Sequence, residues 1–478
     1  MARRPVLWAM LIVGCLGGLV RLALLWQMPL IFTNDSVLYT HWAWAIAQGE
    51  PVGNVPSYRT PGYPVFLSGV LAVFGRDPMA VMAVQRLMGL IAAVTVAGVA
   101  SAIVKRRRSG GLALAVGLVC GLVPAIDPRV LALEGFALSE GLSVFLAVLL
   151  FVPALAIARF RVWHLVWIGV LAGALCLVRP VFQVAVPLIL LGMVLIPGPA
   201  GWKPRLVALA LGAVAFGATV APWLLYNHRR GVSGFGEGGG AVLWLGLGMS
   251  GRLDTSLAPT EDLAQEYERI VGDNPHSGSL HHFVFSIGTF HKDDVRHDIG
   301  QWAVDSVKAH PGSYIKGVLV AMLWQCDYLP GGTRPPEREL LWIVQRAAVD
   351  PQYSGPASNM TIGGPPDAVL EPMAMDRPSR GAAWIFNAWA YTHHFGVLTL
   401  VLLVCAVAAG VVSLFRRRWT WALLIAGSGA VFASHAALLS PYARYSLPVW
   451  MVWAVTPAIV VAGSKRSESE PEPPKTLD

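Results

Sequence analysis

Apolar residues fall along this chain in long unbroken blocks, not in the alternating or short amphipathic patterns of soluble elements. A bilayer core about 30 Å thick takes roughly 20 apolar residues per helix. Runs of that kind recur from end to end, as in Leu112 to Ile126, Val162 to Val178 and Val449 to Gly463, and they predict an all-α polytopic membrane protein. Short basic clusters separate them at Arg3-Arg4, Lys105 to Arg108, Arg159 to Arg161, Lys203 to Arg205, Arg416 to Arg418 and Lys465-Arg466. Arginine and lysine stay on the cytoplasmic side, so every second connection is expected inside, together with both termini.

The first span is expected from Pro5 to Gln27, because the run has no obvious small-residue cleavage site after it and reads as a retained helix, not a signal peptide. The second runs from Met79 to Val104, the third and fourth bracket an outer turn near Asp127 to Ser139, and the next three end near Val178, Pro197 and Tyr226. Tyr314 to Trp324 is apolar apart from Lys316, but a crossing there would leave Arg416 to Arg418 outside. Tyr314 to Tyr328 is therefore read as an interfacial or re-entrant helix on the outer face. Three more spans bring the total to about ten. The expected divisions are a transmembrane core over 1–226 with a first periplasmic loop at 28–78, an external region over 227–383 with its interfacial helix near 313–328, C-terminal spans over 384–464, and a Ser/Glu/Pro-rich disordered tail over 465–478.

Composition narrows the class further. With 55% hydrophobic and 13% charged residues and a mean hydropathy of +0.57, the chain has too much apolar material for a soluble core. Its 18 tryptophans suit the membrane interface. The formal charge of +8 sits in the clusters just named, which makes it a topology signal and excludes a nucleic-acid surface. Cys15, Cys120, Cys176, Cys326 and Cys405 lie apart and lack any CxxC spacing, so neither a disulfide framework nor a zinc site is expected. Arginine far exceeds lysine and no eukaryotic retention signal closes the chain, so a bacterial inner membrane is the expected location.

On this topology the unusual polar residues gather on the outer side: Asp35, Tyr58 and Arg59 in the first loop, Arg86 near the outer end of the second span, Glu140 entering the fourth, and then Arg179, Asn227, Arg444 and Tyr445. Charges at membrane depth face a cavity or a partner. Several cations beside two carboxylates at one interface suit an anionic, membrane-borne substrate. Each residue also has a plainer reading. Asp35 fits an N-cap for a helix over Ser36 to Gln48, Arg59 a loop salt bridge, Glu140 a cap or a partner for Arg179, and Arg86 and Arg179 snorkelling to headgroups. His281, His282, His291, His297 and His310 match no tight ligand spacing and read as solvated. The glycine-rich stretch from Gly231 to Gly240 lacks the Lys-Ser/Thr ending of a phosphate cradle, and Asn359-Met-Thr is a glycosylation sequon by pattern alone.

One ordered set of motifs goes beyond these single residues. Asn34-Asp35-Ser36 after the first span, Gln48-Gly49-Glu50-Pro51, Arg59-Thr60-Pro61-Gly62-Tyr63-Pro64, Leu138-Ser139-Glu140, Val178-Arg179-Pro180, Ala221-Pro222-Trp223 with Asn227, and Ala443-Arg444-Tyr445-Ser-Leu-Pro448 stand in sequence order. This series resembles the integral membrane GT-C glycosyltransferases of the protein mannosyltransferase and aminoarabinose transferase type (glycosyltransferase family 39-like). It departs from them at Tyr226, where an Arg is common, and the region from Gly231 to about Arg380 matches no known element.

The resemblance implies a GT-C-like fold with outer-face juxtamembrane helices. It also implies an inverting enzyme that moves a monosaccharide from a polyprenyl-phosphate donor to a hydroxyl of a lipid, glycan or protein acceptor at the periplasmic face. In that scheme Asp35, with Glu140, is catalytic. Arg444, Arg59, Arg179 and Tyr445 bind the donor phosphate, and Tyr58, Tyr63, Arg86 and Asn227 line the substrate cavity. No cofactor is required, and nothing in the sequence supports a divalent metal. Two other classes stay open. A glycan polymerase or ligase using a lipid diphosphate would share the outer arginines, and a lipid or glycan transporter would be expected to show an internal repeat, which the chain lacks.

Overall fold

The computed structural model describes residues 4–28, 30–52, 59–157, 161–196, 201–236, 239–272, 277–287, 293–325, 380–391, 393–438 and 447–463. Among these residues the protein is all-α, with a single parallel bridge between Ile31 and Phe136 as its sheet-like pairing. The first half runs α1 (Arg4–Gln27), α2 (Asn34–Gln48), α3 (Gly62–Phe74), α4 (Pro78–Lys105), α5 (Gly110–Ile126), α6 (Pro128–Leu133), α7 (Ser139–Ala156), α8 (Val162–Val178), a 3-10 segment Pro180–Ala185 leading into α9 (Val186–Val194), and α10 (Trp202–Arg229). Then come α11 (Gly239–Met249), α12 (Glu261–Ile270), α13 (Ser277–Ser286), α14 (Asp293–Ala309) and α15 (Pro311–Gln325). The chain closes with α16 (Arg380–Tyr391), α17 (His393–Phe415), α18 (Trp419–Ala437), α19 (Leu447–Trp453) and α20 (Thr456–Gly463).

Among the described residues six helices are long and apolar enough to cross a membrane: Arg4–Gln27, Pro78–Lys105, Ser139–Ala156, Trp202–Arg229, Leu398–Phe415 and Trp419–Ala437. Shorter apolar helices Gly110–Ile126, Val162–Val178, Pro180–Val194 and Leu447–Ala462 stand where the remaining spans are expected. The protein is a multi-pass membrane protein. Local chemistry fixes the helix starts. Asp77 caps α4 by accepting from the Met79 amide, with Pro78 following it, and Ser109 caps α5 through the Leu112 amide. The central helix is α4, against which α1, α5 and α7 pack. Its buried face carries Val81, Met82, Met88, Ala92, Ala93, Val96, Ala97 and Ala100, small and branched residues that allow close approach on several sides. The lipid-side faces of α1 and α10 show the reverse, with Leu7, Leu11, Leu19 and Trp26, and Leu206, Val207 and Val214, exposed.

The region expected to be external has a core of its own. Trp244, Tyr267, Phe283 and Trp302, from α11 to α14, are buried against one another, with ring centroids 5.1 Å apart for Trp244–Phe283 and 5.6 Å for Trp244–Trp302. Edge-to-face and stacked aromatic contacts of this kind add to the burial itself. The helix expected over Tyr314 to Tyr328 is present as α15; residues 326–328 lie outside the described residues. Its Tyr314 hydroxyl donates to the Ala437 carbonyl at 2.7 Å, which ties it to the C-terminal end of α18. Ile315 and Leu319 on it are more than half exposed.

The segment expected as an outer turn, Asp127 to Ser139, lies between α5 and α7, carries the short helix α6, and is buried throughout. Asp127 ends α5 and caps α6, its carboxylate holding the Arg129 amide at 2.9 Å and the Arg129 guanidinium at 2.7 and 3.1 Å. The three charges of this otherwise largely apolar segment can be buried because each has a partner.

Candidate functional site

The site forms where α2, α3, α7 and α8 begin or end. Asp35 sits in the first turn of α2 but does not cap it. That role belongs to Thr33, whose side chain accepts from the Ser36 amide while the Ser36 hydroxyl takes the Thr33 amide at 3.0 Å. The Asp35 carboxylate is therefore available for another partner, and it forms an ion pair with Arg59. Arg59 also donates to the Tyr39 hydroxyl at 3.3 Å, and its guanidinium lies 5.6 Å from the centre of the Tyr39 ring.

The arginine-containing turn before α3 owes its placement to its neighbours in sequence. The Thr60 hydroxyl donates to the Val178 carbonyl at 3.3 Å, directly before Arg179. Gly62 lies so close to the end of α8 that a Cβ there would meet the Leu177 carbonyl and the Val178 nitrogen at 2.6 Å. Only glycine lets the two chains approach this way. The approach brings Arg59 beside the end of the helix that carries Arg179.

Arg179 pairs with Glu140 at 2.7 Å. Glu140 stands in the first turn of α7, where the helix dipole favours a carboxylate, and Ser139 donates to it at 3.4 Å. The two pairs differ in access. The Asp35 and Arg59 side chains are 33% and 25% exposed, those of Glu140 and Arg179 only 4% and 11%. Of the two carboxylates, Asp35 is the more accessible. Tyr39 joins the pairs: burial pushes its phenol above its ordinary value, Arg59 opposes this, Asp35 and Glu140 reinforce it, and Arg179 opposes it again. All four charges thus act on one hydroxyl. His435 of α18, buried and bonded at 3.1 Å to the Val431 carbonyl, lies within electrostatic range of Arg179; the sequence reading missed it, since a single histidine near the end of a span carries no pairing signal.

The other expected site residues lie elsewhere. Tyr63 is 1% exposed and its hydroxyl donates to Gln85 at 2.9 Å, so it belongs to the interior behind the site and does not line an open cavity. Arg86 is in a separate buried group: Glu134 takes two bonds from Arg21, at 2.6 and 3.2 Å, and Arg86 approaches its other oxygen at 3.9 Å. Asn227 is fully buried and donates to the Gly234 carbonyl at 2.9 Å, while Trp223, one turn earlier, donates to Phe235 at 2.9 Å. That pair clamps the turn after α10 over Trp42 of α2. Tyr58, Arg444 and Tyr445 lie outside the described residues. Among the described residues no group of three or more His, Cys, Asp or Glu side chains is placed to hold a metal ion.

No protein-family profile matches the chain, and no curated protein matches it in sequence. Among solved structures it is similar to the apo form of the Archaeoglobus fulgidus oligosaccharyltransferase, with a TM-score of 0.44 and 15% identity over 94% of this chain and 50% of that one. The chain thus spans half the length of that protein, and a likeness at this level assigns neither family nor activity.

Proposed function

We propose that this protein is an inverting glycosyltransferase of the GT-C type that moves a monosaccharide from a polyprenyl-phosphate donor to an acceptor hydroxyl at the outer face of a bacterial inner membrane. The observation that carries the reading is the meeting of two carboxylate–arginine pairs around Tyr39, one pair open to solvent and one behind it. Asp35 takes the proton of the acceptor hydroxyl as its oxygen attacks the anomeric carbon. The bond from that carbon to the phosphate oxygen breaks on the opposite face, and the phosphate monoester leaves with the electron pair.

Arginine suits that leaving group because its planar fork stays charged and donates bidentately. A guanidinium carries five donors and can hold a carboxylate and a phosphate together, so Arg59 has the chemistry to serve both Asp35 and the donor. Glu140 holds Arg179 in place for the same phosphate, and sequence order adds Arg444 and Tyr445 as further phosphate ligands. The exposed apolar face of α15, with Ile315 and Leu319, suits the polyprenyl chain.

Two experiments test this. Purified protein given a radiolabelled polyprenyl-monophosphate sugar should release polyprenyl phosphate and transfer the label; consumption only of a lipid-diphosphate sugar would assign it to the polymerase or ligase class instead. In a cysteine-free chain in intact cells, Ser256→Cys should react with an impermeant thiol reagent and Ser109→Cys only after permeabilisation. Labelling of both from the same side would overturn the topology.

A further inference from the structure

We propose that Gln85 is a positioning residue for the transfer reaction, joining through one buried amide the segments that lead to Arg59 and Glu140, the second of which also pairs with the segment leading to Asp35; its kinetic consequences rest on the function proposed above.

Gln85 lies two turns into α4 and is 1% exposed. Its Nε2 group donates to the Glu134 carbonyl at 3.1 Å and the Phe136 carbonyl at 3.0 Å, and its Oε1 accepts from the Tyr63 hydroxyl at 2.9 Å. Two carbonyls on one side and a hydroxyl on the other leave a single way round for the amide, since only its nitrogen donates.

Each partner leads to a member of the site. Tyr63 belongs to the turn that carries Arg59, held on its other side by Thr60 and by the close approach of Gly62 to α8. The Tyr63 ring also meets the Tyr39 ring edge-on at 5.3 Å, beneath the hydroxyl that Arg59 contacts. The segment holding the Glu134 and Phe136 carbonyls runs directly into α7 and Glu140. The same segment takes the Ile31 amide on the Gly135 carbonyl at 2.8 Å and gives the Ala137 amide to the Ile31 carbonyl at 3.1 Å. Ile31 precedes the Thr33 cap, and the cap sets Asp35. Asp35, Arg59 and Glu140 come from three different elements; Gln85 is bonded directly to the segments of Arg59 and Glu140 and reaches that of Asp35 through the backbone pairing of Ile31 with the second. Buried and fully used, it has no alternative partner in water, so its loss releases these segments together.

The test uses the full-length protein with Gln85→Leu, which keeps the bulk and removes all three bonds. Hydrogen exchange in peptides covering 30–37 and 132–138 should speed up about tenfold or more. For transfer, kcat should fall roughly 10- to 100-fold, as expected when reacting groups shift by about an ångström, and the donor KM should rise with it, since Arg59 and the Glu140–Arg179 pair sit on the released segments. In an Asp35→Asn background the same change should cost less than in the wild type, because part of its effect passes through the base. A role in stability alone would lower the unfolding midpoint and leave kcat per folded molecule and the coupling to Asp35 untouched, and that result overturns the proposal. So does unchanged exchange. If Gln85→Leu does not fold, Tyr63→Phe deletes only the hydroxyl that reaches Gln85, and an unaltered kcat there also overturns it. If wild-type protein turns over no lipid-phosphate sugar, the functional reading fails while the exchange measurement still decides what Gln85 holds.

Discussion

Asp35→Asn should reduce transfer by about 10²-fold or more and leave the protein folded, with donor binding intact. The size of the loss follows from removing a positioned general base, which contributes about 10²- to 10⁴-fold. The small effect on stability follows from the local structure. Thr33 and Ser36 close the capping box of α2 without Asp35, so no cap is lost. The carboxylate's interaction with the helix N-terminus contributes about 0.3–1 kcal/mol, and a partly exposed ion pair such as Asp35–Arg59 contributes about 0–1 kcal/mol. Asparagine also keeps an oxygen for the Arg59 guanidinium. Transfer rates and donor binding on the purified variant, with its unfolding midpoint, read all three expectations. Retention of most activity would leave Glu140 as the base, and Glu140, 4% exposed and bonded to Arg179, would first have to part from it to meet an acceptor.

The spans and the polar cluster were legible in the sequence to different depths. Long apolar runs declare a helix regardless of what packs on it, which is why α1, α4, α7 and α10 fall where the pattern puts them. Glu140 and Arg179 were legible as candidates because each stands at the end of an apolar run, where a charge needs a partner, and Asp35 and Arg59 because they fall in the motifs of the first loop. The partnerships were not legible. Whether Glu140 caps α7 or pairs Arg179 depends on how α7 and α8 meet, and the Gly62 contact that brings Arg59 alongside is a tertiary fact. Arg86 shows the limit most clearly. Its position near the outer end of a span fits a cavity as well as it fits a buried pair, and the carboxylate that decides between them, Glu134, lay in a segment read only as the outer turn between two spans. The available signal was Arg21, a lone charge inside the first apolar run, whose presence required an acid somewhere at the same depth.

That acid makes Glu134→Gln the variant with the largest expected effect on stability, about 3–5 kcal/mol. Glu134 is 1% exposed, with Arg21 and Arg86 each 3% exposed beside it. Its Oε1 takes Nη2 of Arg21 at 2.6 Å and Nε at 3.2 Å, and its Oε2 faces Arg86 at 3.9 Å. The fit depends on Gly89 of α4, where a Cβ would run into Oε1. With a neutral amide at this position two guanidiniums would share a buried space with no counter-charge, and like charges at short range in a poorly screened interior repel strongly. Arg21 has a second task that separates it from a simple ion-pair partner. Its Nη1 donates to the Ala125 carbonyl at 2.9 Å and its Nη2 reaches Pro124 at 3.5 Å, which satisfies carbonyls at the end of α5 that have no partner within their own helix. Replacing all three charges, by Arg21→Met, Arg86→Met and Glu134→Leu, should therefore recover part of the loss, since a buried charge group can be exchanged for apolar packing, but not all of it, because the α5 carbonyls stay unpaired. Denaturation in mixed micelles followed by tryptophan fluorescence measures each variant. A loss below about 1 kcal/mol for Glu134→Gln would mean that water reaches the three side chains and that the group is not closed; full recovery in the triple variant would mean that Arg21 does not hold the end of α5.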